Sequence, residues 1–191
     1  MAFLHPHFVV FSRNVAAADA IRRVMRIIGI DPGLANTGYG VIDHNASQSR
    51  LVVAGCITTN PKDAVAQRLK VIHDELAAVI EQARPDEASM EQLFFCNNMK
   101  TAISVAQGRG VAILATAHAG LPLGEYTPLQ IKQAVVGYGK ASKAQVLTMV
   151  KAILGLGEAV GTDHAADALA AALCHAHTSK FTAAVARATK R

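Results

Sequence analysis

Four side chains, drawn from three distant stretches of the chain, have the types and settings that metal-assisted hydrolysis needs. Asp31 closes the apolar run Ile27-Ile28-Gly29-Ile30 and is followed at once by Pro32-Gly33, and Glu91 ends a short mixed stretch, residues 86–91. His164 and Asp167 stand three apart at the start of an alanine-rich segment, a spacing that puts them on one face of a helix. Carboxylates gathered in one cleft repel each other, and such a cluster persists when cations neutralise it. Mg²⁺ suits that task because it takes oxygen ligands and keeps waters; two such ions can activate a water and steady the leaving oxygen of a phosphodiester. The expected chemistry is hydrolysis of nucleic acid at Asp31, Glu91, His164 and Asp167 with two Mg²⁺, Mn²⁺ being able to substitute. Taken alone, Asp31 has a plainer reading, because Asp-Pro and Asp-Gly also open ordinary turns.

For these residues to meet, strands must end and a helix must begin at one edge of a sheet. Residues 26–43 read as a hairpin: an apolar strand, a Pro/Gly/Asn/Thr/Gly turn, and a second strand in which Gly38 and Gly40 alternate with Tyr39 and Val41. The glycines leave room for another backbone, a phosphate or a metal. Residues 51–58 supply a third strand, so three antiparallel strands come first. Asn60-Pro61-Lys62-Asp63 is expected to open a helix with Asn60 as cap, and Val65, Leu69, Ile72, Leu76 and Val79 give that helix one apolar stripe ending at Arg84-Pro85. Residues 86–91 join two helices and read as a strand; if it neighbours the first in parallel, Glu91 stands beside Asp31 at the edge where open α/β sheets bind ligands.

A long helix from about 99 to 119 carries Ala102, Ala106 and Gly110 at intervals of four, suited to close contact with a second copy or with the protein's own sheet. Residues 121–126 form the last strand. Thr127-Pro128-Leu129-Gln130 and Ser142-Lys143-Ala144-Gln145 are capping boxes that open two helices, Gly155 stops the second, and a final helix runs from near Asp163 to about His177. The fold class is α/β, a mixed sheet of three antiparallel strands followed by parallel strands and flanked by helices.

At 191 residues and 51% hydrophobic composition, the chain suits one domain with a real core. Residues 1–24 read as an N-terminal extension, partly disordered or folded as a short helix near 16–24; 25–178 form the catalytic domain, and 179–191 a basic C-terminal tail. Apolar runs are too short for a bilayer or a signal-peptide core, so a cytoplasmic location away from membranes is expected. Cys56, Cys96 and Cys174 lack paired spacing and read as reduced, buried thiols. The net charge of +5 permits a polyanionic partner without demanding one. Lys132, Lys140, Lys143 and Lys151 crowd one short region, and Lys143 lies in the first turn of a helix whose free N–H groups favour phosphate. A solvated lysine face is the plain alternative. His73, His118, His175 and His177 read as structural or surface residues.

Five segments in order carry a resemblance. Ile28-Gly29-Ile30-Asp31-Pro32-Gly33, Glu91-Gln92-Leu93-Phe94, Gly108-Arg109-Gly110-Val111-Ala112-Ile113, Lys132-Gln133-Ala134-Val135-Val136-Gly137 and Ala165-Ala166-Asp167-Ala168-Leu169-Ala170 resemble the motifs of RuvC, a bacterial family of Holliday-junction resolvases. The resemblance spans residues 25–177. It implies a ribonuclease H-like fold, a homodimer, and Mg²⁺-dependent paired nicks that resolve four-way DNA junctions alongside the RuvA and RuvB branch-migration proteins. It also implies that Asp31, Glu91 and Asp167 are catalytic metal ligands and that Lys132 and Lys143 match positions that contact DNA, with Lys140 beside them. Phe94, in the loop after Glu91, is suited to stack on an unpaired base or wedge open the junction core.

One position departs from the commonest pattern: His164 stands where many members carry aspartate. Histidine is a poorer ligand for Mg²⁺ than for Mn²⁺, and it can instead orient a group or move a proton. His164 is taken as the fourth site residue ahead of Asp163, whose expected role is the helix N-cap. Asp31-Pro32-Gly33 with Thr37-Gly38-Tyr39-Gly40 also resembles the first phosphate loop of actin-like ATPases and sugar kinases. Those need a second such loop and roughly twice this length. A non-catalytic junction-binding module is the third reading, opposed by carboxylates set near a phosphate backbone.

Overall fold

Small and large residues alternate along the first strands, and that alternation gives the sheet two unlike faces. The computed structural model describes residues 24–45, 48–92, 99–156 and 162–188. The elements in chain order are β1 (Met25–Asp31), β2 (Asn36–His44), β3 (Ser49–Thr58), α1 (Val65–Ala83), β4 (Glu87–Glu91), α2 (Met99–His118), β5 (Leu123–Tyr126), α3 (Pro128–Val136), α4 (Lys143–Leu154) and α5 (Asp163–Ala188). The five strands are ordered β3-β2-β1-β4-β5, antiparallel from β1 through β3 and parallel from β1 through β5. Ile30 is in register with Met90, so Asp31 and Glu91, one residue further along parallel neighbours, come side by side.

On one face Ile28, Ile30, Tyr39, Val41, Ala88 and Met90 pack with Ile72, Leu76, Val79 and Ile80 of α1 and with Ala112 and Ala115 of α2. The other face presents Gly29, Gly38 and Gly40, and α5 lies directly on it. A Cβ at Gly29 would stand 1.9 Å from the Ala168 carbonyl oxygen, and one at Gly38 2.0 Å from that of His164. The room these glycines leave is therefore filled by another backbone rather than by phosphate or metal. α5 is itself covered by α3 and α4, and its buried alanines, Ala165, Ala166, Ala168, Ala170, Ala171 and Ala172, suit a helix packed on both sides.

Both expected capping boxes form: Thr127 Oγ1 accepts from the Gln130 N–H and Ser142 Oγ from the Gln145 N–H, with the glutamines returning to the cap N–H groups. Arg84 ends α1 in the left-handed region at φ 50°, and Gly155 ends α4 at φ 64°. Four expectations need correction. α1 starts at Val65, because Asn60 builds its own turn, its Oδ1 accepting the Lys62 N–H at 3.0 Å and its carbonyl the Asp63 N–H at 3.1 Å. α5 continues past His177 to Ala188. Ala106 and Gly110 on α2 are exposed beside Ile103, Ile113 and Leu114, so this stripe does not pack on the protein's own sheet. Cys174 is buried, but Cys56 is only half-buried. The extension up to residue 23, Cys96 and the Phe94-Phe95 loop lie outside the described residues. Among the described residues, no helix is long and apolar enough to cross a membrane.

Candidate active site

Asp31 is held in place by the turn that follows it. Gly33 is needed there because a Cβ would come within 2.5 Å of the Asn36 carbonyl oxygen. Fully buried Thr37 closes the turn, its hydroxyl donating to the Gly33 carbonyl at 2.7 Å. From outside, Thr59 donates to the Leu34 carbonyl at 2.6 Å, and Arg68 of α1 reaches the same carbonyl at 3.2 Å and Thr59 Oγ1 at 2.8 Å. These bonds join the loop after β1 to the loop after β3 and to α1, which leaves the end of β1 little freedom.

The seating of α5 on glycine then brings its first turns over the ends of β1 and β4. His164 Nδ1 lies 2.8 Å from Asp31 Oδ2. Lys143, from the first turn of α4, reaches Asp167 Oδ2 at 3.0 Å and Asp163 Oδ2 at 3.5 Å. Burial pushes the Asp31 carboxyl above its ordinary value, and the Asp167 charge adds to this while His164 and Lys143 oppose it. Glu91 is also raised, first by burial and then by the charges of Asp31 and Asp167, with Lys132 partly offsetting them. The hydrogen bond to Asp167 raises the Lys143 ammonium.

Asp31, Glu91, His164 and Asp167 thus gather at one edge of the sheet. Among the described residues, no three ligand-type side chains converge into a ready-made cage, since Asp31 is turned to His164 and Asp167 to Lys143. Asp163 is not the N-cap of α5: Thr162 takes that role, with its Oγ1 accepting the Ala165 N–H at 3.2 Å and its carbonyl the Ala166 N–H. Lys132 acts on Glu91 electrostatically, and Lys140 is exposed between α3 and α4.

Linear spacing gave no sign of the groups that brace these strands. His175 is buried between Glu87, 2.5 Å from its Nε2, and the Tyr126 hydroxyl, 2.7 Å from its Nδ1, and so ties α5 to β4 and β5. Burial pushes the Tyr126 phenol up to about 12. Arg109 of α2 donates to the Glu91 backbone carbonyl. Its place inside a recognisable motif was the one available signal, and that signal carried no role.

Residues 27–175 match the family described as Crossover junction endodeoxyribonuclease RuvC. The chain belongs to the RuvC family. It is 50% identical over 153 residues to the RuvC of Pelotomaculum thermopropionicum, covering 80% of this chain and 93% of that one. Identity to the Finegoldia magna RuvC is 51% over 157 residues, 82% of this chain and 96% of the relative. Among solved structures, Thermus thermophilus RuvC in complex with Holliday junction substrate superposes with a TM-score of 0.79 at 37% identity, over 83% of this chain and 96% of that one. The mixed sheet flanked by helices is therefore the ribonuclease H-like fold of RuvC. A family match over most of the chain disfavours the actin-like ATPase reading of the Asp31 loop.

Proposed function

We propose that this RuvC-family chain is a structure-selective endonuclease that resolves four-way DNA junctions in recombination and repair, by paired metal-dependent nicks in strands of like polarity. One observation carries the reading: Asp31 and Glu91 adjoin at the ends of parallel strands, beneath the α5 turns that bear His164 and Asp167. The solved relative that superposes on this chain holds a Holliday junction substrate, which supports the same substrate class here.

The donors fit a divalent cation that prefers oxygen, because burial and mutual repulsion hold Asp31 and Glu91 above the usual carboxylate range and a cation would relieve both. Two divalent ions per site would supply Lewis acidity and lower the pKa of a bound water. Asp31, Glu91, Asp167 and His164 would hold them, with Mg²⁺ as the expected ion and Mn²⁺ as its substitute. His164 orients Asp31 through Nδ1, which leaves Nε2 to bind or to move a proton. Lys143 balances Asp167 and Asp163 at the N-terminus of α4, so one ammonium serves both the acids and an incoming phosphate. Lys132 and Lys140 extend this basic side, and Phe94 supplies the stacking group.

Paired nicks need two sites, and the exposed stripe Ile103, Ala106, Gly110, Ile113 and Leu114 on α2 is the surface suited to a second copy. In this reading a homodimer works in the cytoplasm with RuvA and RuvB; residues 25–178 are its nuclease domain, 1–24 an extension and 179–191 a basic tail. The test is the purified chain with a synthetic four-way junction and Mg²⁺. Symmetric nicks are expected; binding without cuts would leave a junction-binding module, and ATP turnover without cuts a kinase-like protein. Substituting His164→Ala and Asp163→Ala separately, in Mg²⁺ and in Mn²⁺, assigns the fourth residue, and loss with Asp163→Ala alone would move it to Asp163.

A further inference from the structure

Arg109 sits on α2 between Gly108 and Gly110, with its side chain only 12% exposed. Its two terminal nitrogens diverge to neighbouring parallel strands. Nη1 donates to the Glu91 backbone carbonyl at 2.5 Å, and Nη2 to Glu125 Oε1 at 2.5 Å. The β4–β5 pairing reaches its limit at this level, where the Gln92 N–H bonds to the Tyr126 carbonyl at 2.7 Å. The guanidinium therefore holds the Glu91 peptide at the point where β4 leaves the sheet, through charge-assisted bonds of fixed fork geometry.

The preceding residue brings the same helix turn onto the other acid's strand. A Cβ at Gly108 would stand 2.8 Å from the Gly33 carbonyl carbon and 3.1 Å from the Leu34 nitrogen, so α2 lies against the loop that follows Asp31. One turn of α2 thus touches the end of β1 and the end of β4 together.

We propose that Arg109 is a positioning residue, which fixes the direction of the Glu91 carboxylate relative to Asp31 through the Glu91 peptide. The inference rests on the reading of Glu91 as a metal-binding residue. Lysine cannot replace Arg109 in this role, because a single ammonium does not present two donors in a rigid fork. Removing such a support costs about 10–100-fold in metal affinity or activity.

The test uses the full chain and the variants Arg109→Gln, Arg109→Lys and Glu91→Gln. Four properties are measured: single-turnover nicking of a synthetic four-way junction, junction affinity without divalent ions, Mn²⁺ affinity by electron paramagnetic resonance without DNA, and thermal melting. Both Arg109 variants are expected to bind the junction as the parent does, to nick it about 10–100-fold more slowly per folded molecule, and to need more Mn²⁺ to fill the site. Parental rate and Mn²⁺ affinity in the folded Arg109→Gln protein would overturn the proposal. So would full rescue by lysine, or a slower rate that tracks dissociation to monomers in sedimentation. Glu91→Gln separates the two levels: if it nicks and binds Mn²⁺ as the parent does, the site reading beneath the proposal has failed. Should Arg109→Gln not fold, Glu125→Ala removes the fork's second anchor, and a parental rate in that variant overturns the proposal instead.

Discussion

Where α1 and α2 cover the sheet, Ile28, Ile30, Tyr39, Val41 and Met90 meet them with large side chains; where α5 covers it, Gly29, Gly38 and Gly40 meet the helix with none. The first face is held by volume. Its contacts are side chain to side chain, so a methyl lost or moved can be partly absorbed by neighbours. The second is held closest at Gly29 and Gly38, where the helix backbone rests on the strand backbone, while Leu169 covers Gly40 and Ile27 and Ile42 complete the packing. The site belongs to the second face, because only that closeness brings His164 and Asp167 down to strands that end in Asp31 and Glu91. The comparison teaches that both faces contribute a buried core, but only the face with close backbone contacts also sets the geometry of the acids.

The sharpest way to test that division is Asp31→Asn. It should lower junction nicking by a factor on the order of 10³ while leaving the fold intact, because a site carboxylate supports several kcal/mol of charge stabilisation. On the opposite face, Leu76→Ala should cost about 2–5 kcal/mol in denaturant unfolding yet leave the rate per folded molecule unchanged. Gly29→Ala should cost about 1–3 kcal/mol and, unlike Leu76→Ala, also slow nicking per folded molecule, since α5 must lift. Equal rates in these two variants would break the comparison. Lys143→Ala should reduce the slope of log junction affinity against log salt by about one.

The smallest effect concerns pH. Asp31 and Glu91 titrate above their ordinary values in the fold, so the folded state binds protons more readily than the unfolded one. Stability contributed by their protonated forms is present at low pH and lost as pH rises through the raised values. Asp31→Asn should therefore melt slightly higher than the parent at neutral pH, and its advantage should shrink as the solution is acidified toward the ordinary carboxylate range. A variant that melts lower at neutral pH would show that His164 and Lys143 outweigh burial at Asp31.

Local chemistry was the most legible part of the sequence. The two capping boxes and the Arg84-Pro85 and Gly155 stops are decided within a few residues, and they appear where expected. The adjacency of Asp31 and Glu91 was also accessible, because a helix joining two strands favours a parallel pair whose ends align. Asn60 and Asp163 misled for one shared reason: a residue able to cap a helix can equally cap its own turn or give way to a neighbour, as Asp163 does to Thr162. Arg109 and His175 were out of reach, because the identity of their acceptors depends on which strands become neighbours. The small residues of α2 fit two surfaces equally well in sequence, and the fold leaves Ala106 and Gly110 exposed and Ala102 half-buried.

Alanine fills most of α5 between Ala165 and Ala172. Set between glycine strands and two covering helices, it behaves as a spacer whose thickness is counted in methyl groups. A change of Ala168 or Ala172 to a bulkier residue would alter no charge and no donor, yet it would translate His164 and Asp167 as a unit away from Asp31 and Glu91. Evolution can adjust the gap between those pairs only by trading carbon atoms at a few buried positions, and on the glycine side it has none left to remove.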